Sequence, residues 1–148
     1  MTRLETIAEL LRSQNTLTLA TSAAGCAPRS APLFYLPGDG LRLYWFSSAS
    51  SEHSRILKAN PAAAVTVYRP AEGWREIRGV QMRGTVSAVT GPSRLPIERA
   101  YAEHFHLGKF LQAAVSRSRL YVFEPSWARY IDNSRRFGYR FEVRLALQ

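Results

Sequence analysis

Ser47-Ser48-Ala49-Ser50-Ser51 runs directly into Glu52-His53-Ser54, so hydroxyls and one imidazole crowd the point where a short helical stretch begins. Free backbone N–H groups at a helix start carry the positive end of the helix dipole, and hydroxyls beside them make that point favourable for a phosphate. The commoner role of Ser50, Ser51 and Ser54 is to cap the helix and fill its first turn, and both roles hold together where a phosphate sits at the cap. His53 reads equally well as a solvated helix residue. Gly79 and Gln81 form a second feature on one face of a strand, because a bare glycine beside an amide suits a planar ring lying close to backbone. Gln81 could as well satisfy a neighbouring strand. His104 and His106 stand two apart and cannot share a helix face as i, i+4 ligands do, so no metal site is expected. Cys26 is the single cysteine, which excludes an internal disulfide and a cysteine-based zinc cluster.

The elements that must position these residues are legible from periodicity. Leu4, Ile7, Ala8 and Leu11 recur at helical spacing behind Thr2, predicting a short helix that ends before Asn15 and lids the core. Thr16 to Thr21 alternates and is followed by a turn at Ser22-Ala-Ala-Gly25 and an extended segment from Pro28 to Leu36, a hairpin signal. After Pro37-Gly38-Asp39-Gly40, Leu41, Leu43 and Trp45 alternate with Arg42, Tyr44 and Phe46, which adds a third strand to a meander. Glu52 to Ala59 reads as a helix stopped by Asn60-Pro61. Ala62 to Tyr68 is a fourth strand, and Ile77 to Val89 a long fifth, with Val80, Met82, Val86 and Ala88 on one face. Pro92 to Phe105 is helical, and Leu120 to Phe123 and Phe137 to Leu145 are the closing strands. Short antiparallel strands with a few helices predict a mainly β fold, a barrel decorated by helices, in one domain spanning residues 1–148.

Composition narrows the classes. Of 148 residues, 46% are hydrophobic and 21% charged, which suits a globular chain able to bury a core. The longest apolar stretch, Ala62 to Tyr68, is far below the roughly 20 residues of a membrane-spanning helix. Met1-Thr-Arg-Leu-Glu5 leads into an amphipathic stretch rather than an apolar signal core, so a cytoplasmic protein is expected. A net charge of +9 admits an anionic partner without choosing one.

Leu19-Ala-Thr-Ser-Ala-Ala-Gly25, Pro28-Arg29-Ser30-Ala31-Pro32, Leu43-Tyr-Trp-Phe-Ser47 and Ser51-Glu-His-Ser-Arg-Ile-Leu57 through Asn60-Pro61 stand in an order that resembles the pyridoxamine 5′-phosphate oxidase-like FMN-binding split-barrel superfamily. Ile77-Arg-Gly-Val-Gln-Met-Arg-Gly84, Ala100-Tyr101 with Phe105, and Tyr130-Ile-Asp-Asn133 followed by Phe137-Gly138 resemble its YhbP-type subgroup. The resemblance runs from about Leu4 to Val143. It implies a six-stranded antiparallel split β-barrel that pairs into a homodimer with FMN in grooves at the interface. Arg29, with Ser30 beside it, matches the arginine that faces the FMN phosphate or ribityl chain. Ser51, His53 and Ser54 fall on the phosphate-binding turn. Phe46 and Ser47 match the strand end whose backbone lines the isoalloxazine, and Trp45, Gly79 and Gln81 are expected with them around the same ring. The C-terminal segment of such proteins approaches the flavin of the partner subunit, which makes Trp127 and Tyr130 candidates.

The implied activity is an FMN-dependent oxidation or reduction of an unidentified small molecule, with a reduced nicotinamide as one possible donor. Two departures bear on it. Glu52-His53 stands where the family's turn carries two basic residues, and the oxidase's basic and aromatic grip on pyridoxal phosphate has no counterpart, so pyridoxamine phosphate oxidase activity itself is not expected. The rival reading is a degenerate split barrel without flavin that binds haem or another ligand. A nucleic-acid-binding barrel built on Arg135, Arg136 and Arg140 ranks below both.

Overall fold

The computed structural model describes residues 1–146. Helix α1 (Arg3–Ser13) starts at a capping box: Glu5 N donates to Thr2 Oγ1 at 3.1 Å, and Thr2 N donates to Glu5 Oε2 at 2.7 Å. Its apolar side, Ile7, Leu10 and Leu11, is buried against the barrel as the lid that the periodicity predicts. Eight strand segments follow: β1 (Thr16–Thr21), β2 (Arg29–Phe34), β3 (Leu36–Pro37), β4 (Leu43–Ser47), β5 (Ala62–Tyr68), β6 (Arg78–Val89), β7 (Arg119–Asp132) and β8 (Arg140–Arg144). Between them lie helices α2 (Glu52–Ala59), α3 (Arg94–His104) and α4 (Lys109–Arg117).

All pairings are antiparallel, in the order β2-β1-β5-β6-β7-β4-β3, with β8 added on β7. Only Tyr35 separates β2 from β3, so the two ends of that order are one bent stretch of chain and the sheet closes on itself. The result is the expected six-stranded antiparallel split barrel, with β8 outside it. Tyr35 is fully buried at the bend. Its N–H donates to Asn15 O at 3.0 Å and its hydroxyl to Leu11 O at 2.6 Å, which ties the bend to the end of α1. Inward residues alternate along the strands and fill the interior with Leu17, Leu19, Leu43, Trp45, Val65, Val67, Val80, Met82, Phe123 and Ala128.

The structure differs from the sequence reading at four places. The strand expected at Leu120 to Phe123 continues to Asp132, straight through Pro125. Opposite it the register shifts: Arg83 faces Trp127 and Gly84 faces Pro125, so Ser126 is an extra residue in a β-bulge, where a proline breaks no ladder bond that the strand needs. Gly84 makes the bulge possible, since a Cβ there would overlap the Glu124 carbonyl and lie 2.8 Å from Pro125 Cα. Helix α4 lies where the sequence reading placed no element; its apolar residues Phe110, Leu111, Ala114 and Val115 fall at helical spacing, yet none is buried within the chain, and Phe110 is 81% exposed. Phe137 does not begin the last strand but lies exposed in the turn before it, edge-on to Trp74 at 5.5 Å. Ala88 likewise is exposed near the end of β6 instead of sharing the core face of Val80, Met82 and Val86.

Asp132 ends β7 as a buried carboxylate. Burial pushes its pKa up, but bonds from the Ser134 hydroxyl and amide, with Arg78 and Arg135 alongside, outweigh burial and hold it below the ordinary value. A carboxylate depressed in the folded state contributes stability above its unfolded pKa and loses it as pH falls through the folded one. Urea midpoints measured across the acid range should therefore fall more steeply for the wild type than for Asp132→Asn; parallel curves would remove Asp132 from the acid response.

Candidate functional site

The serine-rich turn closes around His53. Ser51 caps α2, accepting from Ser54 N at 3.3 Å, and its hydroxyl donates to Ser48 O at 2.8 Å. His53 Nε2 lies 2.9 Å from Ser47 Oγ and 3.2 Å from Ser51 Oγ, and Ser54 Oγ is 2.7 Å from Ser51 Oγ. Ser47, at the last residue of β4, and Ser51, His53 and Ser54, on the helix start, thus form one polar knot at the rim of the barrel. Burial lowers the His53 pKa, which favours the neutral imidazole. Arg29, the first residue of β2, reaches the same turn and donates to Glu52 Oε1 at 3.0 Å. Sequence spacing could not show that meeting, because 23 residues separate the partners.

The other expected residues divide into groups. Trp45 corrects the expectation most directly: it is fully buried, stacked on Tyr121 at 6.2 Å inside the barrel, so its side chain cannot flank a ligand outside. Tyr130 is also buried, stacked on Phe141 at 5.1 Å with its hydroxyl 3.5 Å from Asp132. Phe46 points outward but under α3, edge-on to Tyr101 at 4.9 Å with the Arg94 guanidinium 5.3 Å from its ring.

Ser30, Gln81 and Trp127 share the outer face of the sheet. Ser30 pairs with Ala20, Ala20 with Ala64, Ala64 with Arg83 and Arg83 with Trp127, so Ser30 and Trp127 lie in one cross-strand row, which Arg144 of β8 continues. Trp127 lines a groove of about 400 Å3 with Thr66, Gln81, Arg83 and Arg129. Its ring is held between cations, with Arg83 at 4.1 Å and Arg129 at 5.3 Å, and its Nε1 donates to Glu142 Oε2 at 3.2 Å. Spacing does not mark Arg83, Arg129 and Glu142 as neighbours of Trp127, because β7, which brings β6 and β8 to either side of that residue, reads from the sequence as ending at Phe123.

Gly79 is a different case. A Cβ there would come within 3.0 Å of Tyr68 Cβ and Val67 O, so the glycine allows close approach of β5 rather than leaving room for a ring. It also lies five residues along β6 from Gly84, whose row leads through Ala63 and Thr21 to Arg29. At roughly 3.3 Å per residue that is about 17 Å. Within one chain, then, the structure joins Arg29, Ser47, Ser51, His53 and Ser54, and separates them from Gly79.

A closed antiparallel barrel carrying a strand arginine beside a hydroxyl-rich helix start defines a split-barrel protein. The chain belongs to the pyridoxamine 5′-phosphate oxidase family, whose model matches residues 4–132. A UPF0306 protein of Yersinia pseudotuberculosis is 28% identical over 108 residues, which cover 72% of this chain and 73% of the relative. Among solved structures, the haem storage protein HutZ of Vibrio cholerae superposes with a TM-score of 0.69 at 20% identity, covering 84% of this chain and 91% of that one. A FAD-binding protein of Mesorhizobium loti gives 0.64 at 19%, covering 86% and 92%. At such identities the two structures establish the shared fold.

No helix among the described residues is long and apolar enough to cross a membrane.

Proposed function

We propose that this protein binds FMN and carries out an oxidation or reduction of a small molecule, with the phosphate held at the start of α2. The observation that carries this reading is the convergence of Arg29 with the Ser47, Ser51, His53 and Ser54 knot. The donor chemistry fits a phosphate, with hydroxyls, helix N-terminal amides and a planar guanidinium. Glu52 competes for Arg29, and magnitudes decide that contest. The pair is exposed, 51% and 63%, and pairs of that kind contribute about 0–1 kcal/mol. A charge-assisted bond from Arg29 to a phosphate is worth roughly 1.5–3 kcal/mol, so the arginine changes partner.

FMN, when bound, supplies the redox chemistry, and the chain's residues hold and orient it. Arg29, Ser51 and Ser54 bind the phosphate; Ser47 orients His53. The outer face between Ser30 and Trp127, paved with Ala20, Ala64, Thr18 and Thr66, suits a second copy of the chain, which would bring Gln81 and Trp127 of one protomer toward a ligand shared between two. A homodimer of this kind is checked by size exclusion with light scattering, where a monomer at micromolar concentration would count against it. A reduced nicotinamide is the proposed electron donor.

Titrating FMN fluorescence against the protein tests the reading: saturable quenching supports it, and its absence overturns it. A Soret band on adding haemin, with no flavin binding, would instead favour a ligand like that of HutZ. The phosphate also changes His53. Its pKa, lowered by burial in the free protein, rises beside a dianion, so binding takes up a proton and tightens as pH falls through the ordinary histidine range. FMN has a titrating phosphate of its own, and His53→Gln isolates the difference: the wild type should show the steeper pH dependence.

A further inference from the structure

At the end of the barrel away from Arg29, three arginines from separate segments meet in a groove of about 370 Å3. Arg78 begins β6, six residues from Gly84, so this groove lies about 20 Å along the strand from the row of Arg29. Arg69 stands across the hairpin, its N–H donating to Arg78 O at 3.0 Å. Arg135 follows β7 in the next turn. Asp132 positions two of the three: Arg78 Nε lies 3.4 Å and Arg135 Nε 4.0 Å from its Oδ2, while its Oδ1 accepts from Ser134 N at 2.9 Å and from the Ser134 hydroxyl. This carboxylate is 3% exposed and its oxygens are occupied, which leaves Glu9 of α1 as the exposed carboxylate lining the groove. The Arg69 guanidinium has no hydrogen bond or ion pair with another described residue.

The turn that supplies Ser134 and Arg135 also builds an aromatic platform. Asn133, buried, donates through Nδ2 to Trp74 O at 2.9 Å and accepts from Gly138 N at 2.9 Å, locking the loop after β5 onto the turn before β8. Trp74 and Phe137 are thereby held edge to face at 5.5 Å although they are 49% and 77% exposed. Arg75 lies 5.1 Å from the Trp74 ring, and Arg135 and Arg136 flank Tyr139 at 5.1 and 5.6 Å. Neither ring lines the groove itself, but Trp74 stands four residues before Arg78 and Phe137 two after Arg135, so exposed rings fixed by a buried amide share two short segments with arginines oriented by a buried carboxylate, the two devices that recognise a flat ring and a phosphate.

We infer that this groove binds the phosphate of a phosphorylated aromatic compound of the nucleotide class, with its ring on Trp74 and Phe137. The site is separate from the proposed flavin turn. Calorimetric titration at low salt with adenosine monophosphate, inorganic phosphate and adenosine tests it. The monophosphate should bind saturably and more tightly than either fragment. Arg69→Ala, which removes no side-chain hydrogen bond or ion pair among the described residues, should weaken both the monophosphate and inorganic phosphate about tenfold, the loss of one charge-assisted contact. Trp74→Ala retains the carbonyl that Asn133 holds; it should weaken the monophosphate and leave inorganic phosphate unchanged. Arg117→Ala on α4 should alter neither, and Arg29→Ala should leave the Arg69-dependent binding of the monophosphate in place. Absence of saturable binding at millimolar monophosphate, indifference to Arg69→Ala, or loss of binding in Arg29→Ala would each overturn the assignment. So would a single-stranded oligonucleotide that binds far more tightly than the mononucleotide with a steep salt dependence, which marks a nucleic-acid surface instead.

Discussion

Arg29→Ala should raise the FMN dissociation constant about ten- to a hundredfold, the loss of a charge-assisted contact worth roughly 1.5–3 kcal/mol. Glu52→Gln should move it the other way. The wild-type arginine leaves a carboxylate 3.0 Å away before it can serve the phosphate, and the carboxylate then stands near a dianion. Neutralising Glu52 removes both costs. Raised salt should narrow the difference between Glu52→Gln and the wild type, because both charges are exposed and screened. The two substitutions together form a cycle: in the Arg29→Ala background, Glu52→Gln keeps only the part of its effect due to repulsion of the phosphate. Fluorescence quenching measures all four constants. An unchanged constant for Arg29→Ala would remove that residue from the site, and a weaker one for Glu52→Gln would mean that Glu52 supports the ligand.

The largest effect on stability is expected at Gly84. A methyl group there would occupy the space of the Glu124 carbonyl and press on Pro125 Cα, both backbone atoms that no rotamer change can clear. Gly84→Ala should therefore lower the unfolding free energy by about 3 kcal/mol or more, the upper part of the range for overpacking. Gly25→Ala is the matched control, since it lies in open space and pays only for its positive φ of 77°, roughly 1–2 kcal/mol. Urea unfolding should rank the two variants in that order. Equal losses would show that the strand opposite Gly84 moves aside cheaply.

The fold was largely legible because most of its elements carry their own period. Ile7 and Leu11 at helical spacing and Leu17, Leu19 against Thr18, Ala20 mark α1 and β1 without tertiary knowledge. Pro125 misleads for an equally local reason: a proline usually ends a strand, and only Gly84 on the preceding strand, 41 residues earlier, makes it harmless. Part of the site was legible too. Ser51 and Ser54 announce a cap, and the motif order led to Arg29. What spacing could not express was competition, the Arg29–Glu52 pair, or sidedness at Trp45, whose indole turns into the barrel while Phe46 turns out. Gly79 shows the same limit, because a missing side chain looks alike whether it makes room for a ligand or for the strand next door.

The bend at Tyr35 has a kinetic side. β2 completes itself on β1 within a few residues, but β3 can close the barrel only through β4, and β4 finds its other neighbour in β7, more than seventy residues later in the chain. As the chain leaves the ribosome, its N-terminal meander is therefore left with open edges until β7 has emerged. Pairings of such long range place folding in the slow, millisecond-to-second class, with closure as the late step. Until then α1, made before the strands it caps, touches the open meander at the bend, where the Tyr35 hydroxyl donates to Leu11 O.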